Sequence, residues 1–340
     1  MTVSMKVLII RFSSFGDIAQ TLFATEQLKK QFPHAEIHWV TRADQAAWLE
    51  KSGLVDKVWS VDPAQGFKGL WQVCRELRMQ FFTHIYDAHN NVRSHWVSFY
   101  LKWFWLGQKP RFVRRSKERI KRWLLFGWGV NRYKDWPYRG AYSFLKPLER
   151  AWGLRIPPLE EISESLPSLQ TEALESEVES WVADSLVLAP SANWKLKRWP
   201  LEHWKSLVEL CPEERFTVLA GPEDQFVEDI VKVAPDRVRS FAGKLSWSQS
   251  IAVVARAKGV ISGDTGILHM ADFLGRPSLA LMGPTAFGFP YRSSTNTLHL
   301  GLSCSPCTKD GRGRCNNSVY KQCLKDITPE MVTGSLESLP

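Results

Sequence analysis

The run KVLIIRF at residues 6–12 is continuously apolar up to its arginine, and IAQTLFATEQLKKQF at 18–32 then sets its apolar side chains at helical spacing. Strand, loop and helix are predicted in that order. EIHWVTR (36–42), VDKVWSVD (55–62) and THIYDAHN (83–90) read as further strands, with helical stretches at 43–52 and 67–80 and another within 94–106. Strands that alternate with helices predict a parallel sheet covered on both faces. The alternation lapses at RIPPLEEISESLPSLQ (155–170), which is rich in Pro, Ser and Glu and has no period. It resumes with strands at LVLAP (186–190), FTVLAG (216–221), RVRSFAG (237–243), KGVISGD (258–264) and SLALMGP (278–284), and with helices at 201–210, 223–233, 247–256 and 266–274. The fold class is therefore α/β, two Rossmann-like domains facing a cleft: residues 1–160, a linker with a connecting helix at 161–180, and residues 181–340.

A length of 340 residues with 44% hydrophobic side chains supplies two cores. The formal charge of +9 and pI near 9.2 favour a polyanionic partner: nucleic acid, a phosphorylated glycolipid or an anionic bilayer. No helix-turn-helix, RRM or zinc-finger pattern accompanies the charge, so nucleic acid is not expected. MTVSMKVLII is too short and too weakly basic for a secretory signal, and no 18-residue uncharged apolar stretch occurs. These features predict a cytoplasmic chain without a spanning helix.

In open α/β sheets ligands bind beyond the carboxyl ends of strands. SGDTGILHMA (262–271) follows one strand and opens a helix, so free N–H groups near Thr265, Gly266 and Ile267 suit a diphosphate, although DTG alone also reads as a capped turn. SANWKLKRWP (191–200) follows another and offers Ser191, Asn193, Lys197 and Arg198. Asp17, in RFSSFGDIAQ, admits two roles, helix cap or general base. His269 likewise reads as a ligand or as a histidine bonded within the core. Cys74 and Cys211 read as packing residues. Cys304, Cys307, Cys315 and Cys323, spaced C-x2-C-x7-C-x7-C, fit either a tetrahedral structural zinc or free, partly oxidised thiols.

SSFGD, YDAHNNVRS (86–94), KRWP (197–200), GDTGILHMADFLGRP (263–277), MGPT (282–285) and CSPC (304–307) stand in the order seen in glycosyltransferase family 9. Over nearly its whole length the chain resembles this family of ADP-heptose:lipopolysaccharide heptosyltransferases. The resemblance implies a GT-B fold, with the acceptor on the N-terminal domain, the nucleotide sugar on the C-terminal domain, and inverting transfer of heptose to the lipopolysaccharide inner core. It implies that Asp17 is the base and Lys197 a diphosphate ligand. Ser191, Asn193, Arg198, Asp264, Thr265, Gly266 and His269 then line the nucleotide-sugar pocket. Glu223 or Asp224 meets the ribose, and Leu245 flanks the adenine. Ser14, Gly16, Asn90, Arg93 and Arg139 fall to a Kdo or lipid A-type acceptor. One departure is visible: where members carry a proline in the helix after GD, this chain has TLFAT, with Phe23 near that position. No D-x-D motif occurs, which predicts metal-independent transfer with no cofactor. The acting species is expected to be a monomer. The alternatives are another nucleotide sugar, a later core acceptor, or a GT-B epimerase that uses the same nucleotide pocket without an acceptor.

Residues 93–140 interleave Lys and Arg with Trp, Phe and Tyr and hold two acids, Glu118 and Asp135. This composition predicts that 109–125 grips lipid phosphates and the anionic inner leaflet, through Arg114, Arg115, Lys121 and Arg122 among others, making the chain peripheral on the cytoplasmic membrane.

Overall fold

The computed structural model describes residues 5–104, 109–164, 167, 169–337 and 339. Residues 105–108 of the aromatic-basic stretch and 165, 166 and 168 of the expected linker lie outside the described residues.

Two compact units emerge. The first comprises Met1–Glu118, Ala141–Pro158 and Pro167–Gln170; the second comprises Arg119–Gly140, Leu159–Leu166 and Thr171–Pro340. Residues 119–140, which the sequence assigns to the N-terminal half, group with the second unit because Phe126, Tyr133 and Tyr138 pack edge-on around Phe287.

The first unit runs β1 (Lys6–Ile10), α1 (Phe15–Gln31), β2 (Glu36–Arg42), α2 (Ala43–Glu50), β3 (Lys57–Val61), α3 (Gly66–Arg78), β4 (His84–Asp87), α4 (Val92–Trp103) and β5 (Arg111–Arg114). Its sheet is parallel throughout, in the order β3-β2-β1-β4-β5. Val7 to Ile10 of the central strand are fully buried, as a strand covered on both faces requires. α1 is buried over most of its length, and Phe23 sits in its core face. After α5 (Arg119–Trp128), α6 (Gly140–Trp152) returns to this unit, where the Tyr86 hydroxyl donates to the Phe144 carbonyl at 2.8 Å.

The second unit continues through α7 (Leu159–Glu164), α8 (Ser176–Ala183), β6 (Ser185–Ala189), α9 (Leu201–Leu210), β7 (Arg215–Val218), α10 (Glu228–Val231), β8 (Val238–Ser240) and α11 (Trp247–Arg256). It ends with β9 (Gly259–Gly263), α12 (Gly266–Leu274), β10 (Ser278–Leu281), β11 (Thr295–Leu298), α13 (Gln322–Lys325) and α14 (Pro329–Leu336). This sheet is also parallel, ordered β11-β10-β9-β6-β7-β8. α12 starts where the Thr265 hydroxyl accepts the Leu268 N–H at 3.4 Å and stops at Gly275, whose φ of 68° few side chains tolerate. The expected helix at 223–233 is broken into a single 3-10 turn, Gln225–Val227, and the short α10. Among the described residues no helix is long and apolar enough to cross a membrane.

Candidate active site

In the first unit β1 and β4 end level, Ile10 beside Asp87, so the residues that follow leave the sheet together. Arg11 is buried there and donates Nη1 to the Ala88 carbonyl at 3.0 Å, with the Phe144 ring 5.5 Å from its guanidinium carbon. Its Nη2 forms an ion pair with Asp17 Oδ2. Burial pushes the Arg11 guanidinium down from its ordinary value, and the Asp17 charge opposes that shift. Asp17 is the third residue of α1, behind Phe15 and the buried Gly16. The N-cap is Ser14, whose hydroxyl donates at 3.1 Å to Asp17 Oδ2 rather than serving as a side-chain cap. Asp17 is thus not the cap. It is a carboxylate gripped by Arg11 and Ser14, with 40% of its side chain still exposed.

The neighbouring loop is organised by Asp87, which is fully buried. Its Oδ1 accepts the His89 and Asn90 N–H groups at 3.1 and 2.8 Å, and its Oδ2 accepts Ser94 Oγ at 3.0 Å and Arg114 Nε at 2.6 Å. Asn90 sits at φ 54°, its amide donating to the Arg115 carbonyl at 2.8 Å and its oxygen facing His95 Nε2 at 2.8 Å. Arg93 is exposed in the first turn of α4. The Phe12 N–H donates to His89 Nδ1 at 3.3 Å; burial and the Arg11 charge push this imidazole down to about 3.

In the second unit the loops after β6 and β9 carry the remaining polar groups. Asp264 is buried between Lys197 Nζ, 3.0 Å from Oδ2, and His269 Nε2, 3.1 Å from Oδ1. Burial alone would raise this carboxyl, but the Lys197 charge and the His269 contact outweigh it and hold Asp264 well below the usual carboxylate range. Ser262 Oγ lies 2.8 Å from Thr265 Oγ1, and Gly266 opens α12 with its N–H groups at the same strand end. Glycines let this cluster close. A Cβ on Gly288 would overlap Asp264, and one on Gly311 would lie 2.6 Å from Lys197 Cγ.

Asp224 is engaged by Ser191 Oγ, by Arg198 Nη2 at 2.9 Å and by the Gly221 N–H at 3.2 Å, which ties the loop after β6 to the loop after β7. Glu223 and Asn193 are exposed, and Leu245 packs half-buried against the second unit's core. Its loop is seated tightly, since a Cβ on Gly243, at φ +66°, would come within 2.7 Å of Pro222 Cα.

Five residues expected to touch an acceptor or lipid make contacts within the protein, Arg115 buried and the other four half-buried. Arg139 donates Nη1 to the Pro290 carbonyl at 2.8 Å, both within the second unit, whereas Ser14, Gly16, Asn90 and Arg93 belong to the first. Arg114 is the partner of buried Asp87. Arg115 gives Nε and Nη2 to Ser143 Oγ at 3.1 and 2.7 Å. Lys121 stands 5.3 Å from the Tyr133 ring centroid and Arg122 4.5 Å from that of Phe287. Cys304, Cys307, Cys315 and Cys323 line one pocket with Leu196 and Lys321. Burial and the neighbouring thiols push Cys323 up to about 11, and among the described residues no group of three or more His, Cys, Asp or Glu side chains is arranged to hold a metal.

Arg11 and His89 escaped the sequence reading. A charge directly behind VLII was the available signal, because a cation beside so apolar a run needs a partner. Gly288 and Gly311 left no signal, since each meets its neighbour only in space.

Residues 70–315 match the model of glycosyltransferase family 9 (heptosyltransferase). The chain is 25% identical to lipooligosaccharide heptosyltransferase 2 of Haemophilus ducreyi, over 98% of this chain and 99% of that one. It is similar in fold to the E. coli ADP-heptose LPS heptosyltransferase II, with TM-score 0.70, 20% identity and 98% of each chain covered. It is also similar to the E. coli heptosyltransferase WaaC with ADP, with TM-score 0.69, 19% identity and 99% and 100% covered. Both parallel sheets are those of the GT-B fold. With well over half of its length matched by the family model, the chain belongs to glycosyltransferase family 9 and is a glycosyltransferase.

Proposed function

We propose that the chain transfers a heptose from ADP-heptose to the inner core of lipopolysaccharide, with inversion and without a catalytic metal, as a peripheral enzyme on the cytoplasmic face of the membrane. The observation that carries this reading is the Lys197–Asp264–His269 cluster at the start of α12. An ammonium fixed beside free helix N–H groups is suited to a diphosphate whose charge grows as it departs. Arg198 is close by, tied to Asp224. Asp224 being so occupied, the exposed Glu223 is the carboxylate for the ribose, and Leu245 offers an apolar flank to the adenine.

The complementary group is Asp17. An acceptor hydroxyl loses its proton to the carboxylate as its oxygen attacks the anomeric carbon; the bond to the diphosphate breaks, and ADP leaves with the electron pair. Arg11 and Ser14 hold the Asp17 carboxylate in one orientation, which suits a base that must meet a single proton. Ser14, Gly16, Asn90 and Arg93, gathered at the ends of β1 and β4, are the acceptor-side residues.

The test is mass spectrometry of products formed from ADP-heptose and defined truncated lipopolysaccharides, with the wild type and Asp17→Asn. A general base is worth about 10²–10⁴ in rate. The variant should lose turnover to that extent, keep its melting temperature and still bind ADP. Normal turnover by a folded Asp17→Asn protein would sink the assignment of the base. A product of different mass would redirect the donor or acceptor, and turnover of ADP-heptose without acceptor would favour an epimerase.

A further inference from the structure

α3 and α4 of the first unit bury one face each in the core and turn aromatic side chains outward on the other. On α3, Leu70, Val73, Cys74 and Leu77 are buried, yet the opposite side carries Phe67, 57% exposed, and Trp71. On α4, Val97, Tyr100 and Leu101 face inward, while Val92, Trp96, Phe99 and Trp103 recur at four, three and four residues along an outer stripe, with Trp103 72% exposed. The two stripes form one layer. Phe67 lies 4.7 Å from Trp96, Trp96 is 6.1 Å from Phe99, and Phe99 stacks on Trp103 at 5.7 Å. A solvent-facing helix surface ordinarily carries polar residues there, and a contiguous aromatic layer marks an interaction surface.

Charge identifies the occupant. α3 and α4 together carry Lys68, Arg75, Arg78, Arg93 and Lys102 against one acid, Glu76. Of these, Lys68 and Arg75 are exposed, Arg75 continuing the Phe67–Trp71 stripe one turn further, while Arg78 and Lys102 lie over the Phe104 and Phe112 rings at 5.9 and 3.7 Å. Aromatic rings bordered by cations, with no spanning helix nearby, match a surface that sinks rings to the headgroup boundary and pairs cations with lipid phosphates.

We propose that the outer face of α3 and α4 docks this enzyme on an anionic bilayer. This deepens the reading of a lipid-borne acceptor and moves the membrane surface away from residues 109–125, where Arg114, Arg115, Lys121 and Arg122 contact side chains of the protein itself.

The experiment is co-sedimentation of the full chain with vesicles of phosphatidylethanolamine containing a third phosphatidylglycerol, at two salt concentrations. The wild type should bind. Trp71→Ser/Phe99→Ser/Trp103→Ser should lower the partition coefficient at least tenfold, and Lys68→Ser/Arg75→Ser should weaken it severalfold and reduce its salt dependence. Trp103→Asp alone should weaken it too, which keeps the test open if the triple variant folds poorly. Turnover on a deacylated, water-soluble acceptor should be unchanged in all of them, so failure of the heptosyl reading shows there while vesicle binding still reports on this face. The proposal is overturned if the wild type ignores these vesicles, or if the variants bind as tightly as it does. It is equally overturned if the aromatic variants instead convert a dimer to a monomer in sedimentation velocity, because the face would then join copies of the chain.

Discussion

Gly288→Ala is the most stringent single-residue probe of the donor-side cluster. A Cβ at this position would overlap Oδ1 and Cγ of Asp264 and lie 2.8 Å from Oδ2. Either Asp264 moves or the loop does. Asp264 is fixed by Lys197 at 3.0 Å and His269 at 3.1 Å, and breaking a buried ion pair costs about 3–5 kcal/mol. The loop is anchored just beyond Gly288. The Tyr291 and Arg292 N–H groups both donate to Asp272 at 2.8 Å, and Arg139 holds the Pro290 carbonyl. Forcing extra volume into a packed site costs about 1–3 kcal/mol, so the smaller expense is a backbone shift with Asp264 partly turned. The expected loss is about 2–3 kcal/mol, or roughly 5–10 °C in Tm for a unit of this size. Turning Asp264 also releases Lys197, so ADP should bind about tenfold more weakly by calorimetry. Gly334→Ala is the control. It lies in α14 with nothing within 4 Å and should be neutral or stabilising by about 0.5–1 kcal/mol. A Gly288→Ala protein with the wild-type Tm and ADP affinity would refute the placement of Asp264.

Gly311→Ala should act on rate more than on folding. The new Cβ meets the flexible stem of Lys197 at 2.6 and 2.8 Å, so the side chain yields and kcat falls, while Tm drops by about 1–2 kcal/mol's worth from the φ of +91°; unchanged kcat would show that this loop does not press on Lys197. Arg11→Met should lower kcat at least tenfold with ADP affinity retained, and Arg11→Lys should recover part of it; equal kcat in all three proteins would remove Arg11 from the positioning of Asp17. His89 is neutral when folded, near 3 against about 6.5 unfolded, so the unfolded chain takes up more protons between those values. The stability it contributes is complete above pH 6.5 and is lost as pH falls, by about 1.4 kcal/mol between pH 8 and 5.5. His89→Gln should remove that part of the slope in denaturant unfolding, and identical slopes would show that His89 is not buried in its neutral form.

Much of the fold was written in local patterns. The helices expected at 201–210, 247–256 and 266–274 appear with those limits, because each start is marked by a proline or a capping hydroxyl and α12 ends on a glycine. What escaped was decided at a distance. β5 (RFVR) and β11 (TNTL) were not recognised as strands, and both are sheet edges, where charged or polar residues replace the apolar run of an interior strand. The helix expected at 223–233 breaks because the Asp224 side chain is drawn to Ser191 and Arg198 rather than staying with its own helix. The motif residues at Asp17, Lys197 and Asp264 were legible as a set. Their partners Arg11, Gly288 and Gly311 were not, since nothing local distinguishes a residue that fits against one far along the chain.

The same distance effect governs the four cations expected to grip lipid. Residues 111–122 look like a solvated basic patch because a sequence lists cations without their counterions. Asp87, with no exposed side-chain surface, needs a positive partner more than any surface phosphate does, and Arg114 Nε supplies it from 27 positions away at 2.6 Å. Arg115, Lys121 and Arg122 follow the same logic with the Ser143 hydroxyl and with ring faces. A cation next to aromatic residues in sequence is therefore ambiguous: the pair packs inward when a carboxylate or ring waits beneath it, and outward when the opposite helix face already fills the core. α3 and α4 satisfy the second condition, since their inner faces are complete without Phe67, Trp71, Phe99 or Trp103. Rings that the core does not need, kept exposed beside cations that no buried acid claims, are what a lipid surface requires.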